Sequence, residues 1–186
     1  MAIKNVVFDL GGVLIDWNPR HFYKDYFNDD QKMEYFLANI ATSEWNAQMD
    51  RGRTFDECTA ELAAQYPEYK DAILKYKSGW YSMLKGEIPC GKQIFDAVKK
   101  SGRYVIYGLT NWSAETFPYA FEHYKFLQDF EGIVVSGEEK MIKPFPLLLF
   151  VTILSNKQIH LAYTNRRTNS SRSPYSKSIT GISINV

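Results

Sequence analysis

The sequence of 186 residues contains little cysteine, no dominant charge and no long hydrophobic run. Its two cysteines, Cys58 and Cys90, lie too far apart in sequence for a disulfide framework or a cysteine metal site, which favours a reducing compartment. The longest late apolar run, Leu147 to Leu154, is much shorter than the ~20 residues of a membrane-spanning helix. A net charge of +1 does not suggest a nucleic-acid partner. We expect a cytoplasmic protein with no nucleic-acid or membrane partner, of undetermined oligomeric state.

Acidic residues are also absent from one part of the chain. Residues up to Lys143 include 17 Lys and Arg and 21 Asp and Glu, whereas the remainder has five basic residues and no acid. The composition as a whole, 45% hydrophobic and 16% aromatic, is sufficient for a packed core. The chain therefore predicts a folded domain followed by a segment of different character.

The most informative feature that is present is the run from Val6 to Leu14, in which a short apolar strand ends on Asp9. Ligands of open α/β sheets bind at the carboxyl ends of such strands. Gly11 and Gly12 follow, and glycine allows the main chain to approach a ligand closely. The run predicts an anion or metal site, although Asp followed by glycine is also common in ordinary turns.

A helical block separates this strand from the next one. After a turn at residues 16–19, the apolar spacing is helical from Arg20 to about Leu84, and Thr54 with Glu57 forms a capping box. Gly86 closes the block. The sequence therefore predicts an insertion made only of helices.

An alternation of helices and strands then returns. A helix is predicted from about Gly91 to Lys100, a strand from Tyr104 to Leu109, a helix from Ser113 and a third strand near residues 132–135. This order predicts an α/β fold, a Rossmann-like parallel-sheet core interrupted by a helical cap. The predicted boundaries are residues 1–15 and 87–146 for the core, 16–86 for the cap and 147–186 for an atypical tail.

Polar residues follow the first two predicted strands, and another lies in a later loop. Asp9 is a candidate nucleophile, because a carboxylate can form a covalent intermediate that divides a difficult displacement into two steps. Thr110 and Asn111 follow the second strand and can donate hydrogen bonds to phosphoryl oxygens. Lys143, next to Pro144, supplies a positive charge from a stiff loop. The order of the three sites predicts phosphoryl transfer more strongly than any one of them.

These motifs, over residues 1 to about 146, resemble the haloacid dehalogenase (HAD) superfamily of hydrolases. The resemblance implies that Asp9 is the nucleophile and a Mg²⁺ ligand, that Thr110 and Asn111 bind the transferred phosphoryl group, and that Lys143 bridges this group to the nucleophile. It also implies a Rossmann-like core and a helical cap.

The chain departs from the family pattern at Gly11, where most of the phosphatases carry a second Asp that acts as general acid and base. The backbone carbonyl of Gly11 can still bind Mg²⁺. With glycine at this position, the chain resembles the sugar-1-phosphate phosphatase branch of the superfamily. Glycine here is also compatible with the 2-haloacid dehalogenase branch.

The acidic fourth motif of the family is also missing, because no Asp or Glu follows Glu139. Mg²⁺ prefers oxygen ligands in octahedral geometry, so Asp9 and one carbonyl should bind it weakly or not at all. The core is thus expected to be incomplete on its C-terminal side, and catalysis to be impaired.

The resemblance ends near Pro146, and residues 147–186 lose acids and helical periodicity together. One hypothesis is a lost reading frame, which is tested by searching the other two frames for a strand followed by two acids. A basic, Ser-rich extension and an added sheet strand at residues 147–154 are the alternatives.

Three functions remain open from the sequence. The first is a phosphomonoesterase that acts on a small phosphorylated metabolite, which includes sugar phosphates, through an aspartyl phosphate. The second is a 2-haloacid dehalogenase, which needs no metal but needs a halide-binding arginine, for which Arg20, Arg51 and Arg53 are the candidates. The third is a truncated homologue without catalytic activity.

Overall fold

A computed structural model describes residues 3–144. The tail predicted for residues 147–186, with its frame-shift hypothesis, lies outside the described residues. The strands are β1 (Asn5–Phe8), β2 (Ile15–Trp17), β3 (Leu84–Glu87), β4 (Val105–Thr110) and β5 (Gly132–Val135). The helices are α1 (Arg20–Phe27), α2 (Asp30–Asn39), α3 (Ser43–Asp50), α4 (Phe55–Gln65), α5 (Lys70–Gly79), α6 (Pro89–Ser101), α7 (Phe117–His123) and α8 (Ser136–Glu139).

The central sheet is parallel, with strand order β1-β4-β5. Phe8 lies beside Gly108, and Thr110 lies beside Val135, so the carboxyl ends of all three strands share one edge. Helix α6 connects β3 to β4 and ends at Gly102, whose φ of 61° is the left-handed conformation that glycine favours. The α/β fold with a Rossmann-like parallel core is confirmed.

Helices α1 to α5 form one continuous helical segment (residues 20–79) between β2 and β3. Its interior is aromatic, and Tyr23, Phe36 and Tyr76 are almost completely buried. The capping box predicted at Thr54 and Glu57 opens α4. The division into core and cap at residues 15/16 and 86/87 stays a prediction.

The helical segment is joined to the sheet region by a small antiparallel pair that the sequence did not predict. Strand β2 pairs with β3, so that Ile15 lies beside Glu87 and Asp16 beside Gly86. Residues 16–19 were interpreted as a turn, because a strand of three residues is too short to show a period of two. Both connections of the helical segment are therefore held side by side.

Other boundaries shift by a few residues. Strand β4 includes Thr110, which was predicted to follow it, and α7 begins at Phe117 rather than at Ser113. The hydroxyl of Ser113 instead accepts from the backbone N–H of Glu115 in the turn before α7, at 3.2 Å. Among residues 3–144, no helix combines the length and the apolar character that crossing a membrane requires.

Candidate active site

The loop after β1 presents Asp9 at the carboxyl edge of the sheet. The chain turns sharply, because the backbone N–H groups of Leu14 and Ile15 both donate to the carbonyl of Leu10, at 2.8 and 2.9 Å. Gly12 has a φ of 75°, which side chains rarely tolerate. Gly91 at the start of α6 lies so close that an added Cβ would be 2.0 Å from the Val13 carbonyl oxygen. Backbone packing therefore fixes this loop.

The structure brings Lys143 onto Asp9. The Lys143 Nζ lies 2.6 Å from Asp9 Oδ2, and the Asp9 side chain remains 41% exposed. The other carboxylate oxygen, Oδ1, accepts from the backbone N–H of Leu10 at 2.8 Å. Lys143 Nζ also donates to the carbonyl of Leu109 in β4 at 3.1 Å. Residues 134 positions apart in sequence thus form one ion pair at the strand ends.

Asn111 holds the Lys143 loop in place. Its Oδ1 accepts from the backbone N–H of Lys143 at 2.8 Å, and its Nδ2 donates to the Lys143 carbonyl at 3.4 Å. The sequence predicted that Asn111 binds substrate, and this role stays a prediction. The contacts in the structure make it a positioning residue for Lys143, which the motif alone did not indicate.

Thr110 is fully buried at the end of β4, and its Oγ1 has no hydrogen-bond partner among residues 3–144. A buried hydroxyl without a partner costs about 1–3 kcal/mol. A ligand oxygen would supply the missing partner, and the substrate-binding role that the sequence predicted for Thr110 stays a prediction.

The donors for a metal ion are few. Asp9 and the Gly11 carbonyl are the predicted ligands, and residues 3–144 contain no group of three His, Cys, Asp or Glu side chains that could hold a metal. Mg²⁺ requires roughly six oxygen ligands. A single carboxylate, already paired with Lys143, and one carbonyl do not fit that requirement.

A cavity of about 200 Å³ opens between the strand ends and the helical segment. Gly11 and Asn111 line it from the sheet side, while Asn46 and Asp50 line it from α3. Its walls are largely aromatic, with Trp17, Phe55, Trp80 and Trp112. The buried Nε1 of Trp17 has no hydrogen-bond acceptor in the described part of the chain. The cavity can take a small organic group.

Direct contacts hold the helical segment against the strand ends. The Ser136 hydroxyl donates to the carbonyl of Asp50 at 2.7 Å, and the Glu115 carboxylate accepts from the backbone N–H of Phe55 at 2.8 Å. Gly52 lies so close to α8 that an added Cβ would be 2.9 Å from the Gly137 carbonyl oxygen. The end of α3 is thereby fixed beside the site.

The sequence analysis missed Asp50. It is one acid in a helix with many polar residues, and no motif or spacing distinguishes it. Its position beside the strand ends depends on how the helical segment folds back onto the sheet.

No protein-family model matches this sequence, and no curated protein matches it either. Solved structures do match. The HAD family enzyme BT-2542 from Bacteroides thetaiotaomicron is 24% identical with a TM-score of 0.54, and the match covers 81% of this chain and 77% of that one. Its complex with magnesium and inorganic phosphate is 25% identical, with a TM-score of 0.53 over 81% and 77% of the two chains.

A second similar structure is that of a predicted HAD-like family hydrolase from Porphyromonas gingivalis. It is 18% identical with a TM-score of 0.53, and the match covers 85% of this chain and 79% of that one. The protein therefore has the fold of the HAD family enzymes, and the resemblance noted in the sequence is confirmed at the level of the fold.

Proposed function

We propose that this protein is a hydrolase of phosphate monoesters that acts on a small phosphorylated metabolite in the cytoplasm, with sugar phosphates among the candidates. The observation that carries the proposal is the 2.6 Å contact of Lys143 Nζ with Asp9 Oδ2 at the carboxyl ends of the strands. An ammonium group beside a carboxylate nucleophile lowers the repulsion between that nucleophile and an anionic phosphate.

In the proposed reaction, Asp9 attacks phosphorus and forms an aspartyl phosphate, which water then hydrolyses. The Lys143 ammonium has three N–H donors, of which two are directed at Asp9 Oδ2 and the Leu109 carbonyl. The third can donate to a phosphoryl oxygen. Thr110 Oγ1, which is buried without a partner in the described residues, can donate another hydrogen bond.

Magnesium enters this proposal only as a weakly held ion. The HAD family enzyme BT-2542 was crystallised in complex with magnesium. In this chain Asp9 and Gly11 leave most of the coordination shell to water and substrate, so no step of the proposed reaction is assigned to the metal.

The test is release of inorganic phosphate from p-nitrophenyl phosphate by the purified full chain. We expect Asp9→Asn to remove the activity, by at least ~10³-fold in kcat/KM, because an amide is a very poor nucleophile. Asp71→Asn, an exposed acid on α5, is the matched control and should retain it. Equal activity in the Asp9→Asn protein would refute the proposal, and a folded chain without turnover would identify a homologue without catalytic activity.

Dehalogenation of 2-haloacids is the second candidate, and the small set of metal ligands favours it, because attack on carbon needs no Mg²⁺. Two of the three candidate halide-binding arginines argue the other way, because each is paired with a glutamate. Arg20 pairs with Glu34 at 2.5 Å, and Arg53 pairs with Glu61. Halide release that is insensitive to EDTA, without phosphate release, would establish this alternative.

A further inference from the structure

Because residue 11 is glycine, its position offers no acid or base to the cavity that it lines, and a proton donor has to come from another side of that cavity. Hydrolysis of an alkyl phosphate needs a proton for the leaving oxygen and later a base for the attacking water. Gly11 has no side chain for either task. The cavity that Gly11 lines is also lined by Asp50, at the last position of α3.

Asp50 is held in a fixed position. Its Oδ2 accepts from Asn46 Nδ2 at 3.2 Å, and its backbone carbonyl accepts from the Ser136 hydroxyl at 2.7 Å. Asn46 is held in turn, because its Oδ1 accepts from the Tyr76 hydroxyl at 2.9 Å. A carboxyl group that transfers protons needs this kind of support, since small displacements cost large factors in rate.

The surroundings of Asp50 suit a group that both donates and accepts a proton near neutral pH. Burial raises the pKa of the Asp50 carboxyl to about 7, although the positive charges of Arg51 and Lys143 act to lower it. Tyr76 lies close enough to feel the charge of Asp50, and burial raises the pKa of its phenol far above its ordinary value. Tyr76 therefore stays neutral while Asp50 titrates.

The other residues that line this cavity in the described part of the chain cannot replace Asp50. Amide and indole groups, such as those of Asn46, Asn111 and Trp17, donate hydrogen bonds but act as neither acids nor bases near neutral pH. The hydroxyl of Ser113 accepts from a backbone N–H of its own turn and is not acidic enough to protonate an alkoxide.

We propose that Asp50 is the general acid and base of the reaction, donated by the helical segment in place of a side chain at Gly11. The proposal rests on the proposed phosphatase function and adds to it the source of the proton.

The steps balance as follows. Asp9 forms a bond to phosphorus while the bond to the leaving oxygen breaks, and that oxygen takes the proton of the Asp50 carboxyl. Alcohol and the Asp50 carboxylate result. Water then attacks the phosphorus of the aspartyl phosphate and gives a proton to Asp50. The bond between phosphorus and Asp9 breaks, which releases phosphate and restores both side chains.

The test compares two substrates in the full-length Asp50→Asn variant. For glycerol phosphate, whose alkoxide needs a proton, we expect kcat/KM to fall about 10²-fold or more. For p-nitrophenyl phosphate, whose leaving group needs none at neutral pH, the expected loss is less than about 5-fold. The falling limb of kcat/KM for glycerol phosphate near pH 7 should also disappear. An equal loss on both substrates, or no loss on either, would overturn the proposal.

A second variant separates proton transfer from simple damage to the cavity. Among residues 3–144, a Cβ added at Gly11 would lie within 4 Å of only a Trp112 ring carbon, at 3.9 Å, so the backbone leaves space for a side chain to begin there. Adding Gly11→Asp to Asp50→Asn should restore most of the glycerol phosphate activity, whereas adding Gly11→Asn should not. Equal results from the two double variants would contradict the proposal.

A chain that hydrolyses neither substrate would refute the proposed function, and the role of Asp50 is then decided by binding. Orthovanadate mimics the transferring phosphoryl group, and its apical oxygen occupies the position of the leaving oxygen. We expect Asp50→Asn to weaken binding of orthovanadate several-fold at pH 6 and much less at pH 8.5, relative to Asp71→Asn. If the Asp50→Asn and Asp71→Asn proteins bind orthovanadate equally tightly at pH 6 and equally tightly at pH 8.5, Asp50 does not have the proposed role.

Discussion

Asp9 at the strand ends and Asp50 at the end of α3 are the same side chain in opposite surroundings. Asp9 is 41% exposed and has an ammonium group 2.6 Å away. Asp50 is partly buried, its carboxylate accepts from a neutral amide, and its pKa rises to about 7. Pairs of carboxyl groups whose environments differ in this way commonly divide nucleophilic and acid-base work between them. The strand ends therefore provide charge compensation for Asp9, whereas the helical segment provides desolvation for Asp50.

The largest expected effect is the loss of activity when Asp9 loses its charged partner Lys143. Lys143→Ala removes its charged partner and the donor beside it, so we expect kcat/KM for p-nitrophenyl phosphate to fall by about 10²–10³-fold. The matched control is Lys99→Ala, since Lys99 also lies 2.6 Å from an aspartate, Asp129, but in the last turn of α6, whose first turn is the one that packs against the Asp9 loop. If both variants lose activity equally, the contact with Asp9 has no special role.

A smaller effect is expected from Asp50→Asn, which should change how the stability of the protein depends on pH. Its carboxyl keeps a proton up to a pKa of about 7 in the folded protein and loses it near the ordinary value of 3.8 when unfolded. Between these values the folded state binds more protons, so the free energy of unfolding falls as the pH rises. Asp50→Asn removes this term and should be more stable than the parent at pH 8 by roughly 2 °C or more in Tm.

Thermal unfolding at pH 5 and pH 8 measures the difference. Asp71→Asn, which alters an exposed acid of α5, should keep the parental dependence on pH. A parallel pH dependence in the parent and the Asp50→Asn protein would mean that Asp50 is ionised in the folded state throughout this range, and the contrast with Asp9 would be lost.

The smallest expected effect concerns Glu115, which makes one of the contacts that hold the helical segment against the strand ends. Glu115→Ala removes the acceptor for the backbone N–H of Phe55 and the partner of Lys77 at 3.4 Å. We expect the free energy of unfolding in urea to fall by about 1 kcal/mol, as for the loss of a helix cap. Glu122→Ala, at an exposed position of α7, should change it by less than ~0.5 kcal/mol. A neutral Glu115→Ala would show that other contacts hold α4 against the strand ends.

Much of the fold follows from the sequence because its signals are local. The capping box at Thr54 and Glu57, the helix from about Gly91 to Lys100 and the strand near residues 132–135 were each predicted from neighbouring residues and were found. The pairing of β2 with β3 was not predicted, because three residues of strand carry too little pattern and their partner lies far along the chain. Ser113 was predicted to start a helix, but it lies in a turn. A serine hydroxyl accepts from nearby backbone N–H groups in both settings, so the sequence does not distinguish them.

The pattern of residues alone was enough to predict the α/β order of elements and the residues that meet at the strand ends, because parallel strands place their carboxyl ends at one edge. Only the tertiary structure decided that Asn111 holds the loop of Lys143 and that Asp50 lies across a cavity from Gly11. These relations depend on how a helical segment packs against a distant loop. Burial, which changes the proton affinity of Asp50, is a property of that packing and has no signature in the residues beside it.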